Sequence, residues 1–156
     1  MTLAGQAIYD HQAVRTRQKG AKMRSFLEPL LTNPALPHRL RNSRNDSIVA
    51  SRLLTAFDSA SRRRGLLSHR SLPDDHALII APTNAIHTFF MRFDIDVAFV
   101  ARNGRVLKVR PALRPWRVAG ALRAFAVIEL AAGALARADL AAGDNLVIVA
   151  DMPAED

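Results

Sequence analysis

Eight side chains in this sequence have types and spacings that could do chemistry: His87, Thr88, Met91, Arg92, Asp96, Trp116, Arg117 and Glu129. His87, Arg92 and Asp96 fall in one short stretch and offer an imidazole, a fixed cation and a fixed anion. An arginine presents a planar fork that grips a carboxylate or phosphate through two hydrogen bonds, so the set suits a small anionic ligand. Trp116 lies in Arg114-Pro115-Trp116-Arg117, and an aromatic ring between guanidinium groups can stack on a sugar or a base. Glu129 is the one acid in the apolar run Phe125–Leu130. Either Asp96 or Glu129 could serve His87 as an acid–base partner, the arrangement a small enzyme would need. The same residues also support an architectural reading, with Arg92 paired to Asp96 or Glu129 in the interior and His87 satisfied by a backbone carbonyl. Buried charges need such partners, because removing one member of a pair costs about 3–5 kcal/mol.

Other chemistries are disfavoured by what the chain lacks. It has no cysteine, which excludes disulfides, thiolate nucleophiles and thiolate-bound zinc. His87 with Asp94 and Asp96 would make only a weak divalent site, with no second histidine close in sequence, so no metal is assigned and no cofactor is expected. There is no P-loop, no glycine-rich phosphate loop and no Ser–His–Asp signature, which argues against nucleotide hydrolysis and classical acyl transfer.

The elements that must position these residues read as short strands. Ile95–Ala101 is rich in β-branched and aromatic residues, and Arg105–Arg110 alternates as its partner. The intervening Asn103-Gly104 predicts a two-residue type I′ hairpin turn. His76–Ala81, Phe125–Leu130 and Asn145–Ala150 are further apolar runs of strand length, and Ser47–Phe57 suits a first strand. Asp58 is a candidate N-cap for a short basic helix closed by Gly65, on which Arg62, Arg63 and Arg64 form either a solvated face or a phosphate contact. Ala131–Asp139 predicts one or two helical turns. Ala21–Thr32 has an amphipathic pattern that Pro29 interrupts. Pro111 and Pro115 flank a loop ending near Gly120. Together these predict a mainly β fold, a compact β sandwich or barrel with one or two short helices.

Charge divides the chain unevenly. Of the 22 basic and 14 acidic side chains, 13 and 6 lie in residues 1–75, against 9 and 8 in 76–156. Residues 1–46, with Pro34, Pro37, Asn42 and Asn45 in their second half, are expected to be a basic, weakly ordered N-terminal extension. Residues 47–152 are expected to form a single mainly β domain, and 153–156 a C-terminal tail. No apolar run approaches the roughly 20 residues of a membrane helix, and no secretory signal is visible, so a cytoplasmic, membrane-free protein is expected.

The strings IHTFFMRFDIDVAFV (Ile86–Val100), NGRVLKV, LRPWR (Leu113–Arg117), IELAAG (Ile128–Gly133) and LAAGD (Leu140–Asp144) resemble the family named domain of unknown function 192. The upstream RRRGLL (Arg62–Leu67) and Leu72-Pro73 resemble that family's entry motif, so the resemblance covers roughly residues 50–150. Family members usually carry a small residue such as glycine where Phe90 stands, and often proline where Asp94 stands. The resemblance implies a small, mainly β domain and assigns it no biochemical role.

From the residues themselves, the leading expectation is a non-catalytic binding or accessory module at the His87/Arg92/Trp116 region. Its partner would be a small anionic or sugar-like ligand, or a protein. The alternatives are a small enzyme using His87 with Asp96 or Glu129, and nucleic-acid association. The latter would use the basic N-terminal extension, Arg62–Arg64 and the span Arg102–Arg123, which holds seven basic residues and no acid.

Overall fold

The computed structural model describes residues 24–152. In chain order the elements are α1 (Glu28–Thr32), β1 (His38–Asn42), β2 (Ile48–Ala50), β3 (Arg52–Ala56), α2 (Ser59–Arg64), β4 (His76–Ile80) and β5 (Ala85–His87). They continue with β6 (Ile95–Val100), β7 (Val106–Leu113), β8 (Val118–Gly120), β9 (Ala126–Ala131), α3 (Ala134–Arg137) and β10 (Leu146–Ala150). The mainly β expectation is met, with three short helices among the described residues rather than one or two.

The strands form a five-stranded sheet ordered β3-β4-β9-β6-β7, a three-stranded sheet ordered β10-β1-β2, and a β5-β8 ribbon. None closes on itself, so the barrel alternative is corrected to open, packed sheets. The pattern of burial gives the reason. Every residue of β6 and of β9 is buried, as expected where both faces of a sheet are covered. One face meets the three-stranded sheet, where Ala98, Val100, Ile128 and Leu130 pack in a cluster with Leu40, Val49, Leu146 and Ile148. The other face carries Val97, Phe99 and Val127 into a second cluster with Leu66 and Leu72 from the segment after α2, Met91 from the turn after β5 and Ala119 from β8. A central sheet sandwiched in this way needs no closure to hide its faces.

Three local expectations change. The segment 33–46, read as linker, supplies β1, which pairs antiparallel with both β10 and β2; residues 1–23 and 153–156 of the expected extension and tail lie outside the described residues. Pro29 does not interrupt a helix but stands in the first turn of α1, where its missing N–H has no intrahelical acceptor to lose. The Asn103-Gly104 turn is not type I′. Gly104 alone has positive φ, +92°, and its N–H donates to the Ala101 carbonyl at 2.9 Å. Asn103 instead accepts from the Arg105 N–H through its side chain, at 3.1 Å. Gly104 is further fixed by a neighbour, because a Cβ there would stand 2.4 Å from the Leu146 carbonyl oxygen. The close approach allows the Leu146 N–H to donate to Gly104 at 2.8 Å, joining the hairpin to β10.

Helix α2 follows its sequence cue, while two further readings change. Asp58 caps α2, accepting from the backbone N–H of Ala60 and Ser61, and Gly65 (φ +46°) ends it. Strands β3 and β4 run parallel with α2 in their crossover, so the helix lies over one face of the sheet. Ser47–Phe57 splits into β2 and β3, which belong to different sheets. The stretch read as a Pro111–Gly120 loop is strand at both ends, since β7 runs through Pro111 to Leu113 and β8 occupies Val118–Gly120.

Candidate functional site

Strand β9 lies between β4 and β6, and its alternation places Glu129 on the α2 side of the sheet, with Val127. Its cross-strand neighbours are Leu78 and Val97. A carboxylate set among hydrocarbon loses its hydration, and burial alone pushes the Glu129 carboxyl up to about 7. Its Oε2 is buried and, among the described residues, has no hydrogen-bond partner.

Glu129 lines a cleft of about 530 Å³ between α2 and β5, with Met91, Ile80 and Leu66 as apolar wall and His87 at the β5 side. Arg62, Arg63 and Arg64 also line it. Their place in the last turn of α2 is favourable in itself, since cations complement the free carbonyls there. Arg62 donates to the Phe57 carbonyl at 2.8 Å and Arg63 to the Ser59 carbonyl at 3.2 Å. Among the described residues, none of the three is in an ion pair. The cleft thus combines an apolar wall, cationic groups and one buried acid that can hold or release a proton near neutrality.

Of the eight residues singled out from sequence, this cleft gathers His87, Met91 and Glu129. Thr88 is fully buried beside it and locks two turns together. Its hydroxyl donates to the Arg114 carbonyl at 2.7 Å and accepts from the Arg117 N–H at 2.9 Å, while its backbone N–H donates to the Arg117 carbonyl at 2.8 Å. Trp116 and Arg117 stand exposed on the second of those turns, and Arg92 is exposed beyond the first.

Asp96 is elsewhere. It is buried on the opposite face and accepts from the backbone N–H groups of Ala112, Gly133 and Leu135 at 2.8–3.0 Å. The expected pairing of Arg92 with Asp96 or Glu129 is not formed, since Arg92 is exposed and makes no ion pair among the described residues. His87 is exposed, and its Nδ1 lies 3.3 Å from the Phe89 N–H. Among the described residues, no three His, Asp or Glu side chains converge as a metal-binding group, so Asp94 and Asp96 do not join His87 in one. The site residues absent from the sequence-based set are Arg62, Arg63 and Arg64. Their consecutive spacing is a visible signal, but only the β3-α2-β4 crossover brings it over Glu129.

Two members of the basic span Arg102–Arg123 have local partners. Arg102 lies over the Phe125 ring at 4.0 Å, and Lys108 donates to the Gly120 carbonyl at 2.9 Å.

These features define a class, a mainly β domain of open packed sheets with a cleft over one face of the central sheet. The chain belongs to the family of domain of unknown function 192, described as an uncharacterised ACR, whose pattern it matches over residues 40–148. It is similar in fold to a "putative transcription regulator" from Sinorhizobium meliloti 1021, with a TM-score of 0.62 at 20% identity, covering 71% of this chain and 91% of that one. It is also similar to a protein of unknown function from Novosphingobium aromaticivorans DSM 12444, with a TM-score of 0.61 at 21% identity, covering 70% and 82%. At these identities the likeness concerns the fold. Among curated proteins, none matches the chain. No helix among the described residues is long and apolar enough to cross a membrane.

Proposed function

We propose that the protein is a binding module whose cleft takes a small ligand with an anionic group and a short apolar body. The observation that carries this reading is Glu129, a buried acid with an unpartnered oxygen in a cleft that three arginines also line. A buried polar atom left without a partner costs free energy, and a ligand that hydrogen-bonds it recovers that cost. The arginines supply charge-assisted contacts to a carboxylate or phosphate, and Met91, Ile80 and Leu66 accept the apolar part.

A thermal-shift panel of small carboxylates and phosphate esters tests this on the full chain. A ligand that binds only the folded state raises the melting temperature. The expected result is a hit that is lost in Arg63→Ala/Arg64→Ala and weakened in Glu129→Leu. A hit that both variants retain would place the ligand elsewhere and sink the reading.

A catalytic use of the same cleft is the second reading, favoured by one observation: the Glu129 carboxyl is set near neutrality, where an acid–base group works best. It would pair Glu129 with His87, because Asp96 faces away from both.

A further inference from the structure

We propose that the two turns tied by Thr88 present a binding surface for single-stranded nucleic acid, which adjoins the cleft only at His87. The surface consists of the rings of Phe89, Phe90 and Trp116 with the guanidinium groups of Arg92, Arg114 and Arg117.

The rings form a continuous strip on the outside of the molecule. The Phe89 and Trp116 centroids lie 5.9 Å apart and those of Trp116 and Phe90 4.6 Å apart; His87 extends the strip by stacking on Phe89 at 5.0 Å. Phe90 is 69% exposed and Trp116 56%. Aromatic side chains left in water lose the burial that usually justifies them. Phe90 and Trp116 also sit at φ +66° and +64°, the left-handed region that costs an L-residue roughly 1–2 kcal/mol. Such strain persists only where the surroundings impose it, and Thr88 does so, since its carbonyl also accepts the N–H of Met91 and of Trp116 at 3.2 and 3.0 Å.

Charge selects the partner. Arg92, Arg114 and Arg117 are exposed and, among the described residues, make no ion pair; Asp94 is the acid of the same turns and is unpaired as well. Arg117 donates to the Trp116 carbonyl at 3.1 Å, and exposed ring faces on the same turns as guanidinium groups outside any ion pair match a strand whose bases are unstacked and whose backbone is anionic. An anionic lipid surface would satisfy the charge, but mutually packed rings with an imidazole at one end offer flat π faces, which bases match and acyl chains do not.

Trp116 is the only tryptophan, so its fluorescence reports on the surface directly. The full chain is titrated at low salt with oligothymidylate, oligouridylate, a DNA duplex, and vesicles of phosphatidylcholine with phosphatidylserine. The expected result is quenching by the single strands, with weaker binding of the duplex. By anisotropy of a labelled oligothymidylate, Phe90→Asn/Trp116→Asn should weaken affinity by about tenfold or more, since each stacked base contributes appreciably. Asparagine tolerates positive φ, so this variant should melt at or above the wild-type temperature. Arg114→Ala/Arg117→Ala should flatten the dependence of log affinity on log salt by about 1.4, roughly 0.7 for each phosphate no longer neutralised. Glu129→Gln should bind the oligonucleotide as wild type does, which separates this surface from the cleft. Binding without quenching, equal binding of the duplex, unchanged affinity in the asparagine variant, or a response to vesicles alone would each overturn the proposal.

Discussion

Asp96 and Glu129 occupy adjacent strands of one sheet, one register step apart, and face opposite sides of it. Asp96 pairs with Leu130, and Val97 with Glu129, so the alternation of β6 and β9 sends the two carboxyls into different cores. One is satisfied by three backbone N–H groups, and the other has an oxygen with no partner. Two buried acids of similar appearance in the sequence therefore do different work.

Glu129 makes stability depend on pH. Its folded pKa of about 7 exceeds the ordinary 4.5, so between those values the native state holds more protons than the unfolded chain. Stability contributed by the proton is fully present below about 4.5 and is lost as pH rises to about 7. The loss is of the order of 3 kcal/mol, at about 1.4 kcal/mol per pH unit. Urea unfolding of wild type and Glu129→Gln from pH 4.5 to 8 should show this decline in the first and not in the second.

Asp96→Ala should destabilise the fold by about 2–4 kcal/mol, because it leaves the buried Leu135 N–H without a partner and also releases those of Ala112 in β7 and Gly133 before α3. Denaturant melts check the size. Ligand affinity of the surviving folded fraction should be unchanged, since Asp96 points away from the cleft.

Gly104→Ala should cost about 3 kcal/mol or more. The added methyl would meet the Leu146 carbonyl at 2.4 Å, on a backbone with φ of +92° that alanine rarely adopts. A chemical melt compared with Gly143→Ala gives the control. Gly143 has a similar φ of +96° but open space, so its cost should be the smaller.

Thr88→Val should lower stability by about 1–3 kcal/mol and loosen the second turn. It removes the hydroxyl that holds Arg114 and Arg117, so Trp116 fluorescence anisotropy should fall while Thr88→Ser remains close to wild type.

The elements most legible in the sequence are those whose signal is local. The runs of β6 and β9 are apolar because both faces are covered, and Asp58 announces α2 by its own hydrogen bonds. Strand β1 is hidden because its inward positions include His38 and Asn42 alongside Leu40. Asn42 is buried by donating to Asp144 at 2.9 Å, more than a hundred residues away. Asp144 in turn is held down at about 2, chiefly by its hydrogen bond from Arg44. A period-two pattern written partly in polar residues looks like a linker. For the site, residue types are visible but their facing is not, because register alone separates Asp96 from Glu129.

Strand β1 is flanked by β10, whose Ala150 lies opposite His38. On the ribosome, β1 emerges long before the strand that covers its edge. The central sheet, complete once β9 has emerged, therefore lacks the Leu146 and Ile148 part of its cover until β10 arrives, and for that interval β1 keeps one edge unpaired.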